Sequence, residues 1–185
     1  MFTKILIAFD GSSYSMAALD KAIELAKLDQ AKLASVLVFN AIQHYYRTAR
    51  TYPIPFLSTS IDAYALDEKT EDQIYQSHKT IAERLLADAK KKIESAGLTC
   101  ETFLVENNTP VDAAKELVSS KGVDLVIVGA GGVHNALSRA VLGSVSSGIA
   151  NNVCSNIMII RTECAADHGH APAEQLKKSK GKGKT

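Results

Sequence analysis

Tryptophan is absent, and the 185 residues hold only three cysteines, Cys100, Cys154 and Cys164. Three scattered thiols build neither a disulfide framework nor a zinc site, and a reducing cytoplasm is the expected compartment. No run of about 18 apolar residues occurs, which argues against a membrane-spanning helix. The opening stretch reads as a strand entering a turn, without the apolar region and small-residue cleavage site of a secretory leader. Net charge is scant too: 21 Lys and Arg stand against 20 Asp and Glu, for +1. The balance is uneven. Residues 165–185 hold five lysines against Asp167 and Glu174, a net +3, which leaves 16 cations and 18 anions, or −2, for residues 1–164. A body of that sign is not a basic nucleic-acid binder, and the lysine-rich end reads as a disordered, solubilising tail.

What is present is the alternation of an α/β domain. The length suits one domain, assigned here to residues 1–164. Residues 3–10 carry Ile5, Leu6, Ile7, Ala8 and Phe9 in one apolar run, the pattern of a strand buried on both faces of a parallel sheet. Asp10-Gly11-Ser12-Ser13 breaks the run and offers an N-cap, and Met16, Leu19, Ile23 and Ala26 then recur at helical spacing. Residues 32–42 read as a second strand. A long helix over 69–95 follows, with Ile74, Ile81, Leu85, Ala89 and Ile93 on one face, His78 partly buried along it, and Gly97 closing it. Further strands are expected over 99–106, 123–128 and 156–161. A helix starts at Thr109-Pro110 and runs to about 120, and another spans 144–152 with Val145, Ile149 and Val153 in one stripe. The sum is an open, mostly parallel five-stranded sheet with helices on both faces. Residues 43–68 break the alternation. They hold two prolines, four tyrosines and the arginines Arg47 and Arg50, and read as an irregular insert that packs on a neighbouring surface or a partner.

The chemistry concentrates in residues 129–146, where Gly129, Gly131, Gly132 and Gly143 surround a strand end and a helix start. Glycines at a strand's carboxyl end leave backbone N–H groups bare, and a helix beginning after Gly143 aims its unsatisfied N–H groups at the same place. That is the make-up of a phosphate cradle. A Walker A loop would close on Gly-Lys-Ser/Thr, which residues 129–146 do not contain, and a dinucleotide fingerprint would need glycine where His134 stands. No carboxylate lies between 129 and 146, so the expected phosphate cradle has no catalytic carboxylate of its own.

Lys4 to Ser12, Asn108 to Ala114, Asp124 to Gly129, Leu137-Ser-Arg, Val141 to Val145 and Cys154 to Arg161 together resemble the nucleotide-binding universal stress proteins. The resemblance covers about residues 1–164 apart from the insert. The family's loop is Gly, two residues, Gly, nine residues, then Gly-Ser or Gly-Thr. Here Gly129, Gly132 and Gly143-Ser144 are in place with ten residues in the second gap, and Gly131 stands where a histidine is common. The resemblance implies a Rossmann-like, adenine nucleotide alpha-hydrolase-like fold that binds ATP or AMP, with Mg2+ an open question. It implies phosphates on Gly129, Gly131, Gly132, Gly143, Ser144 and Ser146, flanked by Val128 and Val145. Ala8, Phe9, Asp10 and Asn40 would line the adenosine end. It also implies a homodimer paired through the fifth strand at residues 157–161.

The leading expectation is therefore a dimeric regulatory or stress-response protein holding adenine nucleotide. The alternative is a module that binds no nucleotide and docks an unnamed protein partner through residues 43–68 and the dimer edge. A weak ATPase is a third reading, disfavoured because the loop offers only His134 and Arg139. Deleting residues 165–185 is expected to leave the circular dichroism spectrum and nucleotide affinity unchanged; a large loss of binding would place the tail in the site.

Overall fold

A strand that is apolar on both faces needs cover on both sides, and these strands find it between two pairs of helices. The computed structural model describes residues 2–28, 34–43, 68–131 and 142–162. In chain order the described elements are β1 (Lys4–Ala8), α1 (Ser13–Lys27), β2 (Ser35–Ile42), α2 (Glu68–Ser95), β3 (Cys100–Glu106), α3 (Pro110–Lys121), β4 (Leu125–Gly129), α4 (Ser144–Asn152) and β5 (Asn156–Ile160). All neighbouring strands pair in parallel, in the order β3-β2-β1-β4-β5. The expected sheet is present. Residues 44–67, which make up almost all of the irregular insert, and the tail from 163 onward lie outside the described residues.

Period-2 alternation along the strands sorts their side chains into two cores. Ile5, Ile7, Phe9, Leu125 and Ile127 pack with Ala18, Leu19 and Ala22 of α1 and with Leu86, Ala89 and Ile93 of α2. On the opposite face Leu6, Leu37, Phe39, Val126 and Val128 meet Ala113, Ala114, Leu117 and Val118 of α3 and Ile149 of α4. Burying each of the larger side chains contributes about 1.5–3 kcal/mol, so the two clusters together fix the layering.

Two helix faces are rotated from the sequence expectation. In α1 the buried stripe is Ser15, Ala18, Leu19, Ala22 and Ala26, while Met16 is 38% exposed. Small residues at i and i+4 let the helix lie close on β1 and β4, and Met16 is turned outward. In α2 the buried residues are Ala82, Leu86, Ala89 and Ile93, whereas Ile74 and Ile81 are 40% and 54% exposed and His78 is also exposed. Ile81 is turned outward beside the buried Ala82; for Ile74 and His78 the cause is length. A helix of 28 residues is about 42 Å long, nearly twice the reach of the strands beneath it, so its first turns overhang the sheet. Tyr75 and Lys79 mark the overhang. Both bind Glu106, the last residue of β3, with the Lys79 ammonium 2.7 Å from Oε1. The bonds from Lys79 and Tyr75 hold the Glu106 carboxyl below its ordinary range.

The register of β1 on β4 decides what faces what at the far edge. It is locked at its near end by Asp124. That carboxylate accepts the Thr3 N–H at 2.7 Å, the Thr3 hydroxyl at 2.9 Å and the Lys4 N–H at 3.0 Å. Partial burial alone would raise the Asp124 carboxyl, but the bonds from Thr3 and Lys4 outweigh it and hold the group below its ordinary value of 3.8. Ile5 then stands opposite Leu125, Leu6 opposite Val126 and Ile7 opposite Ile127, which brings the ends of both strands to one edge.

Because the folded carboxyl titrates below its unfolded value, its contribution is present at neutral pH. That contribution is lost as the pH falls below about 3.8 toward the folded value. Asp124→Ala is expected to cost about 2 kcal/mol at pH 7 and less at pH 3, read from urea unfolding at the two pH values.

Candidate functional site

In an open parallel sheet, ligands sit beyond the strands' carboxyl ends where successive connections leave in opposite directions. Here that point lies between β1 and β4. A cavity of about 360 Å3 opens there, lined by Ala8, Phe9, Asp10, Ser15, Phe39, Asn40, Ala41, Pro110, Val128, Gly129, Gly131 and the start of α4 from Gly143 to Ser146. Of the twelve residues singled out from the sequence, eleven are on this wall; the twelfth, Gly132, lies outside the described residues.

One end of the cavity is made by a ladder that stops early. The last rung between β1 and β2 is the Phe9 N–H on the Phe39 carbonyl at 2.9 Å. The next rung would join the Ala41 N–H to the Phe9 carbonyl. Instead the Asn40 side-chain amide donates to that carbonyl at 2.7 Å. Even-numbered residues of β2 turn their backbone groups toward β3, as the Asn107 N–H on the Ile42 carbonyl at 2.8 Å shows. Ala41 therefore turns its own N–H and C=O toward the cavity, a donor and an acceptor side by side. Asp10 sits on the same side. Its Oδ1 accepts the Ser12 N–H at 2.9 Å in a tight turn, and Gly11 takes φ +78° to complete it.

The other end is the start of α4. Of the other helices that begin at this edge of the sheet, α1 and α3 are capped by side chains: Ser12 accepts from the Ser15 N–H at 3.2 Å, and Thr109 from the Asp112 N–H at 3.1 Å. The N-cap of α4 is Gly143, which makes no side-chain cap. Its own N–H donates to the Ala130 carbonyl at 2.8 Å. The amides of Ser144, Val145 and Ser146 are left with no acceptor inside the helix, and all three residues line the cavity. Ser146 is 1% exposed, and its hydroxyl shares its proton between the carbonyls of Gly143 at 3.0 Å and Ala130 at 3.3 Å. It braces the helix start against β4.

The glycines have different causes. A Cβ on Gly129 would lie 2.7 Å from both the backbone carbon and the Cβ of Tyr14, so this glycine is dictated by the close approach of α1. Among the described residues no group of three or more His, Cys, Asp or Glu could hold a metal ion. Burial, then the neighbouring Glu94, pushes the Cys100 thiol up to about 11, which keeps it in the less nucleophilic thiol form at neutral pH.

A family model described as the universal stress protein family matches residues 1–161. The chain belongs to that family. Universal stress protein YxiE of Bacillus subtilis is 32% identical over 161 residues, 87% of this chain and 100% of that protein. UspA of Lactobacillus plantarum shares the fold at a TM-score of 0.66 and 18% identity, over 86% of this chain and 98% of the other. A universal stress protein of Arabidopsis thaliana, solved with AMP bound, does so at 0.57 and 18%, over 85% and 90% of the two chains. One from Archaeoglobus fulgidus, in complex with dAMP, does so at 0.55 and 19%, over 86% and 98%.

Sequence reasoning missed four wall residues of this universal stress protein: Ser15, Phe39, Ala41 and Pro110. Ala41 had a readable signal, since it follows Asn40 on a strand that outlasts its neighbour. Pro110 had one as well, because a helix that starts after β3 must start at the same edge of the sheet. Phe39 belongs to the core and reaches the cavity only at its floor.

Gly129→Ala is expected to destabilise the fold by about 1–3 kcal/mol, because the atoms it meets are mainly backbone. The midpoint of urea unfolding measures it, and an unchanged midpoint would mean that α1 can move aside freely.

Proposed function

We propose that this universal stress protein holds an adenine nucleotide in the cavity between β1 and β4, as a regulatory protein rather than a catalyst. The observation that carries the reading is the start of α4 with no side-chain cap, facing the same cavity as the Ala41 edge, which is unpaired among the described residues. An N–H beside a C=O matches adenine, whose N1 accepts and whose exocyclic amine donates. Guanine presents the reverse pattern and would set like against like. Asp10, with one oxygen engaged by Ser12, has the other for a ribose hydroxyl. The phosphates then fall to the first-turn amides of α4, where the helix dipole favours negative charge, with the Ser144 hydroxyl and the backbone of Gly129, Gly131 and Gly132 beside them. The AMP and dAMP bound by the Arabidopsis and Archaeoglobus relatives support the choice of base.

ATP fits this account as well as AMP does. Mg2+, where it accompanies ATP, would ride on phosphate oxygens and water; among the described residues lining the cavity the one carboxylate is Asp10. That also favours holding the nucleotide over hydrolysing it. The cytoplasm is the proposed compartment.

Pairing through β5 is part of the proposal. The β3 edge is guarded: Lys121 lies 3.4 Å from Glu101 and 4.9 Å over the Phe103 ring. The β5 edge carries Ile157, Met158, Ile159 and Ile160 with no charge, the kind of edge that a second copy covers.

Denaturing the purified protein and weighing the released small molecules by mass spectrometry is expected to yield an adenine nucleotide. Added ATP should raise the melting temperature well beyond the effect of equal GTP, and Gly143→Val should abolish both signals with helical content unchanged. No retained nucleotide, and no shift with millimolar ATP, would favour a module that docks a protein partner instead.

A further inference from the structure

We propose that Tyr14 is a positioning residue for the phosphate end of the site, acting through Gly131. The inference rests on the nucleotide reading above and adds to it the residue that sets where the loop leaves the sheet. Tyr14 is the second residue of α1. Its backbone fills the space in front of Gly129, and its ring lies against the next glycine, Gly131. A Cβ built on Gly131 would stand 3.0 Å from Cε2, 3.2 Å from Cδ2 and 3.4 Å from Cζ of that ring. The contact uses one edge of the ring, and the atoms in it are carbons rather than the hydroxyl. Tyr14 is partly buried, so the ring is held by its surroundings as well as by Gly131.

The place of this contact gives it consequence. Gly131 is on the cavity wall, and Tyr14 backs it from behind. The chain passes from Gly131 into the loop and returns at Gly143, whose N–H donates to the Ala130 carbonyl at 2.8 Å. Ala130 is held by its own N–H on the Ile160 carbonyl and by the Gly143 N–H on its carbonyl, both at 2.8 Å, whereas Gly131 beyond it has the aromatic ring. Removing the ring loosens Gly131 while the bonds at Ala130 stay. Backbone amides bind phosphate well only when their direction is fixed in advance, so a loosened exit weakens the hold on phosphate. The adenosine end is built differently, from the β1–β2 ladder, the Asn40 amide and the Ala41 edge, and Tyr14 takes no part in it. A ring that only stabilised the fold would weaken both ends alike. A ring that positions the loop weakens one.

The test is a pair of affinities, for ATP and for adenosine, measured by isothermal titration calorimetry on the full chain. In Tyr14→Ala, ATP affinity is expected to fall about tenfold, the equivalent of one charge-assisted bond, with adenosine unchanged within about twofold. Tyr14→Phe should match the wild type, because the ring carbons make the contact. Gly131→Ala crowds the same ring from the other side. Its effect on ATP should be smaller in the Tyr14→Ala background than in the wild type, a coupling that only contacting residues show. If Tyr14→Ala fails to fold, Tyr14→Leu keeps apolar bulk without the flat edge and is expected to show the same split. Adenosine binding itself reports that each variant is folded. Equal losses for ATP and adenosine, or no loss for either, would overturn this inference and leave the nucleotide reading standing. Wild-type protein that binds neither ligand would overturn both.

Discussion

The site depends on how closely α1 can lie against β4. The backbone of Tyr14 occupies the volume that any side chain at position 129 would need, and this approach brings the first turn of α1 to the edge where the loop begins. Two features make it possible. Ala18, Ala22 and Ala26 give α1 a face of small residues toward the sheet, and glycine at 129 removes the last obstacle. A larger residue on either surface would lift the helix and open the cavity's rear wall. Packing, rather than the need to expose amides, accounts for glycine at 129.

The two ends of the cavity follow from places where regular structure stops without its usual partner. At one end the β1–β2 ladder gives its next acceptor to the Asn40 side chain, so that the Ala41 donor and acceptor have no partner among the described residues. At the other, α4 begins on a glycine while its neighbours α1 and α3 begin on capping hydroxyls. Orphaned backbone groups are costly when shut away from water, and a cavity that lets a ligand satisfy them turns that cost into affinity. The far end of the sheet supplies rigidity, since Asp124 holds residues 3 and 4 to the start of β4 and sets Ile7 opposite Ile127.

Much of this was legible in the sequence, and the parts that were not share a cause. The run from Ile5 to Phe9 announced a buried strand. Thr109-Pro110 announced a helix start, confirmed by the Thr109 cap. Gly143-Ser144 marked the start of α4 to the residue. These are local signals. The faces of α1 and α2 are not local: Met16, Ile74 and Ile81 look like core residues in any helical window, and only the packing of each helix on the sheet shows that they are exposed. The double meaning of Gly129 and Gly131 was hidden for the same reason, since Tyr14 is 115 positions away from the first of them. Asp10 reads both ways, because it forms its turn with Ser12 and also lines the cavity.

Amide-resolved NMR during a nucleotide titration tests the central claim most directly. On adding ATP, the amide signals of Ala41, Ser144, Val145 and Ser146 should move together and saturate with one binding constant, while adenosine should move Ala41 and leave the three α4 signals in place. If ATP moves none of the four, or moves residues elsewhere while these stay still, the cavity between β1 and β4 is not where this protein meets a nucleotide.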